Sequence, residues 1–237
     1  MPKSIRLGII VPSSNTTMEY EFNKMKPKNA TVHAARMKLK KVTAESLIEM
    51  ETEAEKEALK LADAKVDVIA YGCTTGSLVK GADHATKIEQ QITKATGTPA
   101  IATANAVLRA LRELKATKIS VATPYIEELD KLEEKFLNAN GFKVLKIIGL
   151  GIEDNTEIGR LEPQVAYELA MKANVPEAEA IFISCTNFRT IEIIEKLEQE
   201  LGKPVISSNT ATLWNMLRKI NYKGKITSYG KLLEKHL

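Results

Sequence analysis

The sequence predicts an α/β protein of two pseudo-symmetric lobes, each a mostly parallel sheet flanked by helices, with the active site between them. Three observations carry this. Short apolar runs alternate with amphipathic stretches along the 237 residues, and parallel strands need such helical crossovers. The two cysteines, in Gly72-Cys73-Thr74-Thr75 and Ser184-Cys185-Thr186-Asn187, each follow an apolar run and lie 112 residues apart. Val11-Pro12 and Thr123-Pro124 end their own apolar runs at the same spacing, so one unit is present twice.

The elements of the first copy follow in order. Arg6-Leu7-Gly8-Ile9-Ile10-Val11 reads as a buried strand, and the polar turn from Pro12 to Thr17 caps a helix from about Met18. A second strand covers residues 31–37. Thr43 is a good N-cap for a long helix running to about Ala64, with Ser46 rather than Glu at the capping-box position. The strand at residues 66–70 ends at Cys73, and a helix follows from about Ser77 or His84 to Thr96. Gly97-Thr98-Pro99 leads into a strand at residues 100–102 and a helix from Asn105 to Leu114.

The pattern then restarts. A strand at residues 119–122 leads to the turn Pro124-Tyr125 and a helix from Glu127 to Asn140, stopped by Gly141. A strand at residues 143–150 leads to a loop at Asp154-Asn155, and a helix follows from Pro163, a residue suited to a first turn, to Asn174. The strand before Cys185, a helix from about Thr190 to Leu201, a strand at Val205-Ile206 and a helix from Ala211 to Lys219 complete the copy. Each lobe is therefore Rossmann-like or flavodoxin-like. The first is expected to comprise residues 1–115 with 207–237, carrying Asn15 and Cys73. The second is expected to comprise residues 116–206, carrying Tyr125, Asn155 and Cys185.

Composition narrows the function. The hydrophobic fraction of 44% and charged fraction of 27% are ordinary for a globular chain. Net charge is +4, but lysines and glutamates are interspersed, and the densest basic spot (Lys38, Lys40, Lys41) has no interleaved aromatics. That argues against nucleic acid, which asks for a concentrated basic stripe. No apolar stretch approaches the length of a membrane span, and Met1-Pro2-Lys3-Ser4 runs straight into a strand rather than a secretory signal. A cytoplasmic protein with reduced thiols is the expectation. His33, His84 and His236 show no metal-ligand spacing, and Gly72-Cys73-Thr74-Thr75-Gly76-Ser77 lacks the lysine of a phosphate-binding loop. Neither a metal nor an organic cofactor is expected.

Ligands of open α/β sheets bind beyond the carboxyl ends of strands. The loops at 13–15, 73–77, 124–125, 155 and 185–189 all lie at such ends and should converge on one cleft. Each residue there has a plainer reading. A free cysteine is commonly a small buried hydrophobe, Asn15 is a natural helix cap, and Tyr125 and Asn155 suit turns. Arg189 serves equally well as a surface ion pair. The matched placement and flanking motifs of Cys73 and Cys185 are what favour chemistry.

These segments carry a resemblance. Val11-Pro12-Ser13-Ser14-Asn15-Thr16, Gly72-Cys73-Thr74-Thr75-Gly76-Ser77, Thr123-Pro124-Tyr125, Asp154-Asn155 and Ser184-Cys185-Thr186-Asn187-Phe188-Arg189 resemble the aspartate/glutamate racemase superfamily, and within it the maleate cis–trans isomerases, over essentially the whole chain. Arylmalonate decarboxylases, the sister group, typically keep only the second cysteine; this chain keeps both. The resemblance implies cofactor-independent conversion of maleate to fumarate. In it Cys73 would be the nucleophile forming a succinyl–cysteine adduct, and Cys185 the proton donor and acceptor. It also implies that Asn15, Tyr125 and Asn155 bind the substrate carboxylates, and that the protein is a homodimer or larger homo-oligomer. Ser13, Ser14, Thr74, Thr75 and Thr186 are further donors in reach of the same loops. Two alternatives stand beside this reading: an aspartate or glutamate racemase with the thiols as opposed bases, and a small-diacid-binding protein without chemistry. Residues 38–43 and 76–81 are candidate lids.

Overall fold

The structure is a computed structural model and describes residues 4–237; residues 1–3, expected to lead straight into the first strand, lie outside it. Strand β1 (Ile5–Pro12), helix α1 (Met18–Met25), β2 (Ala30–Met37), α2 (Ala44–Glu51), α3 (Ala54–Asp63), β3 (Val68–Tyr71), α4 (His84–Thr96), β4 (Ala100–Ala102) and α5 (Thr103–Glu113) form the first copy. The second comprises β5 (Lys118–Thr123), α6 (Glu127–Ala139), β6 (Lys143–Gly149), α7 (Asn155–Arg160), α8 (Pro163–Ala173), β7 (Ala180–Ile183), α9 (Ile194–Leu201), β8 (Val205–Ser207) and α10 (Ser208–Lys219). A short α11 (Lys231–Lys235) ends the chain.

Each copy is a four-stranded sheet, ordered β2-β1-β3-β4 and β6-β5-β7-β8. Every pairing is parallel. The central strands read as continuous apolar runs because both faces are covered. Inward-facing Leu7, Ile9, Val68, Val121 and Phe182 join Leu108, Leu111, Leu213 and Trp214 of α5 and α10 in one buried cluster that spans both sheets. Helix α10 leaves the second sheet and packs against α5, β3 and β4 of the first. The two sheets are thus tied through a shared helical layer, which fixes the cleft between their strand ends.

Several local expectations change. The long helix after Thr43 is broken at Thr52-Glu53 into α2 and α3. Asp154-Asn155 is not a loop: Asp154 accepts from the N–H groups of Thr156 and Glu157 and caps α7, which Asn155 opens. The helix after Cys73 starts at His84, the later of its two expected starts. A 3₁₀ turn, Thr75–Ser77, follows Cys73, and irregular turns separate Cys185 from α9, which begins only at Ile194 rather than Thr190. Residues 76–78 are buried wall, not lid. His84 opens α4 and is buried beside Glu51. No helix among the described residues is long and apolar enough to cross a membrane.

Candidate active site

Gly72 explains how the first cysteine is aimed. A Cβ there would lie 2.5 Å from Met18 Sδ and 2.9 Å from the Ile10 carbonyl, so only glycine lets the chain leave β3 this close to β1. Cys73 then turns into the 3₁₀ segment, whose Ser77 hydroxyl is within 2.8 Å of the carbonyls of both Cys73 and Thr74. The Gly76 N–H and the Thr75 hydroxyl hydrogen-bond the Cys73 sulfur.

Cys185 is held differently. Its backbone sits at φ +95°, a conformation that side chains with a Cβ rarely adopt, worth on the order of 1–3 kcal/mol of strain. The surroundings enforce it. The Cys185 N–H donates to Ser208 Oγ at 3.0 Å, and the Asn187 N–H donates to the Cys185 sulfur at 3.3 Å. From the first copy, the Thr16 N–H donates to Asn187 Oδ1 (2.9 Å) and Thr17 Oγ1 to the Asn187 carbonyl (2.9 Å). Thr186 Oγ1 donates to the Gly72 carbonyl at 3.0 Å, which ties the second cysteine loop to the first.

Both thiols line one small enclosed cavity with Asn15, Thr74, Thr75, Tyr125, Asn155 and Thr186. Pro12, Leu39 and Val42 complete the lining. Asn15 has two jobs: Oδ1 accepts from the N–H groups of Thr17 and Met18 at the start of α1, while Nδ2 donates to Thr186 Oγ1 at 3.0 Å. Asn155 Nδ2 donates to Ser14 Oγ at 2.8 Å. The Tyr125 side chain lies beside the Cys185 thiol in the same lining and opposes the rise of its pKa. Thr74 Oγ1 donates to Ser208 Oγ at 2.8 Å, so Ser208 touches both cysteine loops.

Ser13 and Ser14 stand just outside the cavity. Their hydroxyls donate to the Leu39 carbonyl (3.2 and 2.5 Å), and Ser13 Oγ accepts from the Leu39 N–H at 3.0 Å. They fasten the β2–α2 loop, which roofs the cavity and reaches the second lobe: Val42 N–H to the Glu153 carbonyl at 2.8 Å, Asn155 N–H to the Lys40 carbonyl at 3.1 Å. With the roof down the cavity holds about 10 Å³, the room of about one water. Arg189 points away and pairs with Glu162 and Glu192.

Burial dominates the electrostatics. It pushes Cys73 up to about 11, against the Gly76 N–H and Thr75 hydroxyl. It pushes Cys185 up to about 12, against Tyr125 and the Asn187 N–H, with the charges of Cys73 and Glu133 adding to the rise. Burial therefore favours the neutral thiol at both sites, and a charge on Cys73 would favour it further at Cys185.

Two further residues stand out. Glu21 and Glu133 are fully buried glutamates 112 residues apart, so they occupy one position of the repeat. Both reach the Cys185 segment: Glu21 Oε1 accepts from the N–H groups of Thr190 (2.6 Å) and Ile191 (3.2 Å), and Ser184 Oγ lies 2.7 Å from Glu133 Oε1. Sequence reading missed them, Ser208 and Asn187, whereas the roof residues Leu39 and Val42 fall within the candidate lid at residues 38–43. Signals existed. Glu21 falls among the buried positions Met18, Phe22 and Met25, and Glu133 among Leu129, Phe136 and Leu137, so each puts a carboxylate on an apolar stripe. Ser207-Ser208-Asn209-Thr210 is a polar run wedged between an apolar strand and a buried helix. Among the described residues no cluster of three or more His, Cys, Asp or Glu could hold a metal ion.

Two parallel-sheet lobes that bring one thiol each to a common cavity define a class of two-lobed, paired-cysteine α/β proteins. Within it, the chain belongs to the arylmalonate decarboxylase family, whose sequence profile matches residues 7–233. Maleate isomerase of Geobacillus stearothermophilus is 34% identical over 98% of each chain. Arylmalonate decarboxylase of Bordetella bronchiseptica is 26% identical over 96% of each. Among solved structures, a cysteine-to-alanine variant of maleate isomerase Iso from Pseudomonas putida S16 with maleate superposes with a TM-score of 0.95 at 30% identity, covering 99% of each chain. A cysteine-to-serine variant of Nocardia farcinica maleate cis–trans isomerase, with a covalently bound succinylcysteine intermediate, gives 0.95 at 28% identity, covering 98% of this chain and 99% of that one.

Proposed function

We propose that this protein is a maleate cis–trans isomerase that converts maleate to fumarate through a covalent cysteine adduct. The observation that carries the reading is the placement of two free thiols in one cavity lined by neutral hydrogen-bond donors. The double bond of maleate forbids rotation. Cys73, as thiolate, adds to one alkene carbon: the C–S bond forms, the π pair moves to the adjacent carbon, and the Cys185 thiol delivers its proton there. The former double bond is now single and rotates. Cys185, as thiolate, removes a proton from the same carbon, the C–S bond breaks, and Cys73 leaves as thiolate with fumarate released.

The Asn15 and Asn155 amides and the Tyr125 hydroxyl would hold the substrate carboxylates, with Thr74, Thr75 and Thr186 beside them. Their present partners are neutral hydroxyls and a thiol. A carboxylate replaces such partners with stronger, charge-assisted bonds. Neutral donors also avoid clamping the dianion more tightly than the transition state. Ser13 and Ser14 would act on the roof rather than on substrate, and the roof must lift at Leu39 and Val42 for a diacid to enter. The reading includes a cytoplasmic setting, which suits two unbridged cysteines, and a homodimer or larger assembly, which light scattering tests.

The decisive experiment follows maleate by ¹H NMR in D₂O with the purified protein and no added cofactor. Fumarate is the expected product. An unchanged maleate spectrum overturns the reading; deuterium entering Cα of added aspartate or glutamate would establish a racemase instead.

A further inference from the structure

Glu133 is 1% exposed, and its Oε2 has no hydrogen-bond partner. Its Oε1 lies 2.7 Å from the hydroxyl of fully buried Ser184. Ser184 in turn lies beside the Tyr125 side chain, and Tyr125 beside the Cys185 thiol, near enough for each to influence the other's ionisation. Four side chains thus run in one buried line from helix α6 to the sulfur.

We propose that Glu133 is a positioning residue for Cys185, setting through Ser184 and Tyr125 the direction in which this chain of hydrogen bonds points. The inference rests on the reading of Cys185 as the proton donor and acceptor. Each hydroxyl in the chain has a single hydrogen to give. A neutral Glu133 carboxyl donates to Ser184 Oγ, because its other oxygen faces no partner. Ser184 then donates to Tyr125, and Tyr125 to sulfur, so three O–H groups line up toward Cys185 and stabilise its thiolate. An ionised Glu133 can only accept. Ser184 turns toward it, Tyr125 loses its donor, and a negative charge faces the sulfur.

Burial pushes the Glu133 carboxyl up to about 8, with Asp130 adding and Ser184 opposing, so the neutral form prevails at neutral pH. The titratable groups that face it are Asp130 on its own helix, Tyr125 after β5 and Cys185 after β7. The equivalent residue of the first lobe cannot play this part for Cys73. Gly72 stands where Ser184 stands in the second lobe and supplies no hydroxyl, and Glu21 is bonded instead to Thr190, Ile191 and Asn209.

The test uses the Cys73→Ala protein, in which Cys185 is the sole thiol, and measures its alkylation by iodoacetamide from pH 6 to pH 10 by mass spectrometry. Adding Glu133→Gln, which keeps a donor and cannot ionise, should speed alkylation at pH 9 about tenfold. Adding Ser184→Ala, which cuts the chain and leaves Glu133 in place, should slow it about tenfold at pH 7. Circular dichroism of each variant establishes that it is folded. A rate profile of either folded variant that superimposes on the Cys73→Ala profile overturns the assignment. Maleate turnover by the unaltered protein is read in parallel. Its absence alongside shifted alkylation profiles would remove the diacid chemistry and leave the hydrogen-bond chain standing.

Discussion

The two cysteine loops end the same strand of two copies of one sheet, yet they are held in opposite ways. The Cys73 loop is held largely by its own 3₁₀ turn and Ser77, with Thr186 and Ser208 reaching its flanks from the second copy. The Cys185 loop is strained, and its restraints come from elsewhere: Thr16 and Thr17 from the first lobe, Ser208 from α10, Glu21 from α1. Even the matched glutamates serve one side, since Glu21 and Glu133 both bond the segment around Cys185. A duplicated motif has become two functional parts because its neighbours differ. The two loops therefore differ in what holds them, although each ends the same strand of its copy.

The sharpest way to break this comparison is to remove each thiol. We expect Cys73→Ala and Cys185→Ala each to lower maleate turnover by about 10³-fold or more. The two should differ by mass spectrometry: Cys185→Ala should trap one substrate mass on Cys73, and Cys73→Ala should trap nothing. A trapped mass on Cys185 in the Cys73→Ala protein would reverse the roles.

Glu133 belongs to the Cys185 side alone, so its titration should mark that side. Its carboxyl is raised from 4.5 to about 8 in the fold. The folded state therefore binds the proton more tightly, and the stability it contributes is complete below pH 4.5 and lost as pH climbs through 8. Glu133→Gln should flatten the fall of the melting temperature over that window, removing on the order of 4 kcal/mol of pH dependence. Identical slopes for the two proteins would show that Glu133 does not titrate there.

Asn187 tests the cross-lobe restraint. Asn187→Ala deletes the acceptor of the Thr16 N–H and the donor to the Asn155 carbonyl, and should cost about 2 kcal/mol in urea unfolding. Turnover should fall about tenfold in protein that remains folded, since Cys185 is no longer aimed. Normal turnover would mean that the lobe contact only stabilises.

The smallest effect concerns the backbone. Glycine relieves a positive φ, so Cys185→Gly should be about 1 kcal/mol more stable than Cys185→Ala. Cys73 is not among the residues of positive φ, and there the order should invert, with glycine the less stable by about 0.5–1 kcal/mol. Chemical denaturation of the four variants decides it, and the same order at both sites would remove the distinction in strain.

Much of this was legible in the chain. Alternating apolar runs gave parallel sheets, because parallel pairing needs crossovers and covered strands need apolar residues on both faces. The spacing of 112 residues announced the duplication and the pair of thiols. Asn15, Tyr125 and Asn155 stood beside Pro12, Pro124 and Asp154, where strand ends must meet a ligand. Other features had no local signature. Cys185 takes its positive φ in a loop whose Asn187 is bonded to a residue 170 positions away, and nothing local marks Ser13 and Ser14 as the residues that fasten the 38–43 loop over the cavity. The partner of Glu133, Ser184, lies 51 residues further along the chain. Sequence by itself determined which elements form and which groups can react, since periodicity and side-chain chemistry are local. Only the tertiary structure decided which thiol is strained, how deeply each is buried and what aims each of them. Those properties come from burial and from bonds between distant segments.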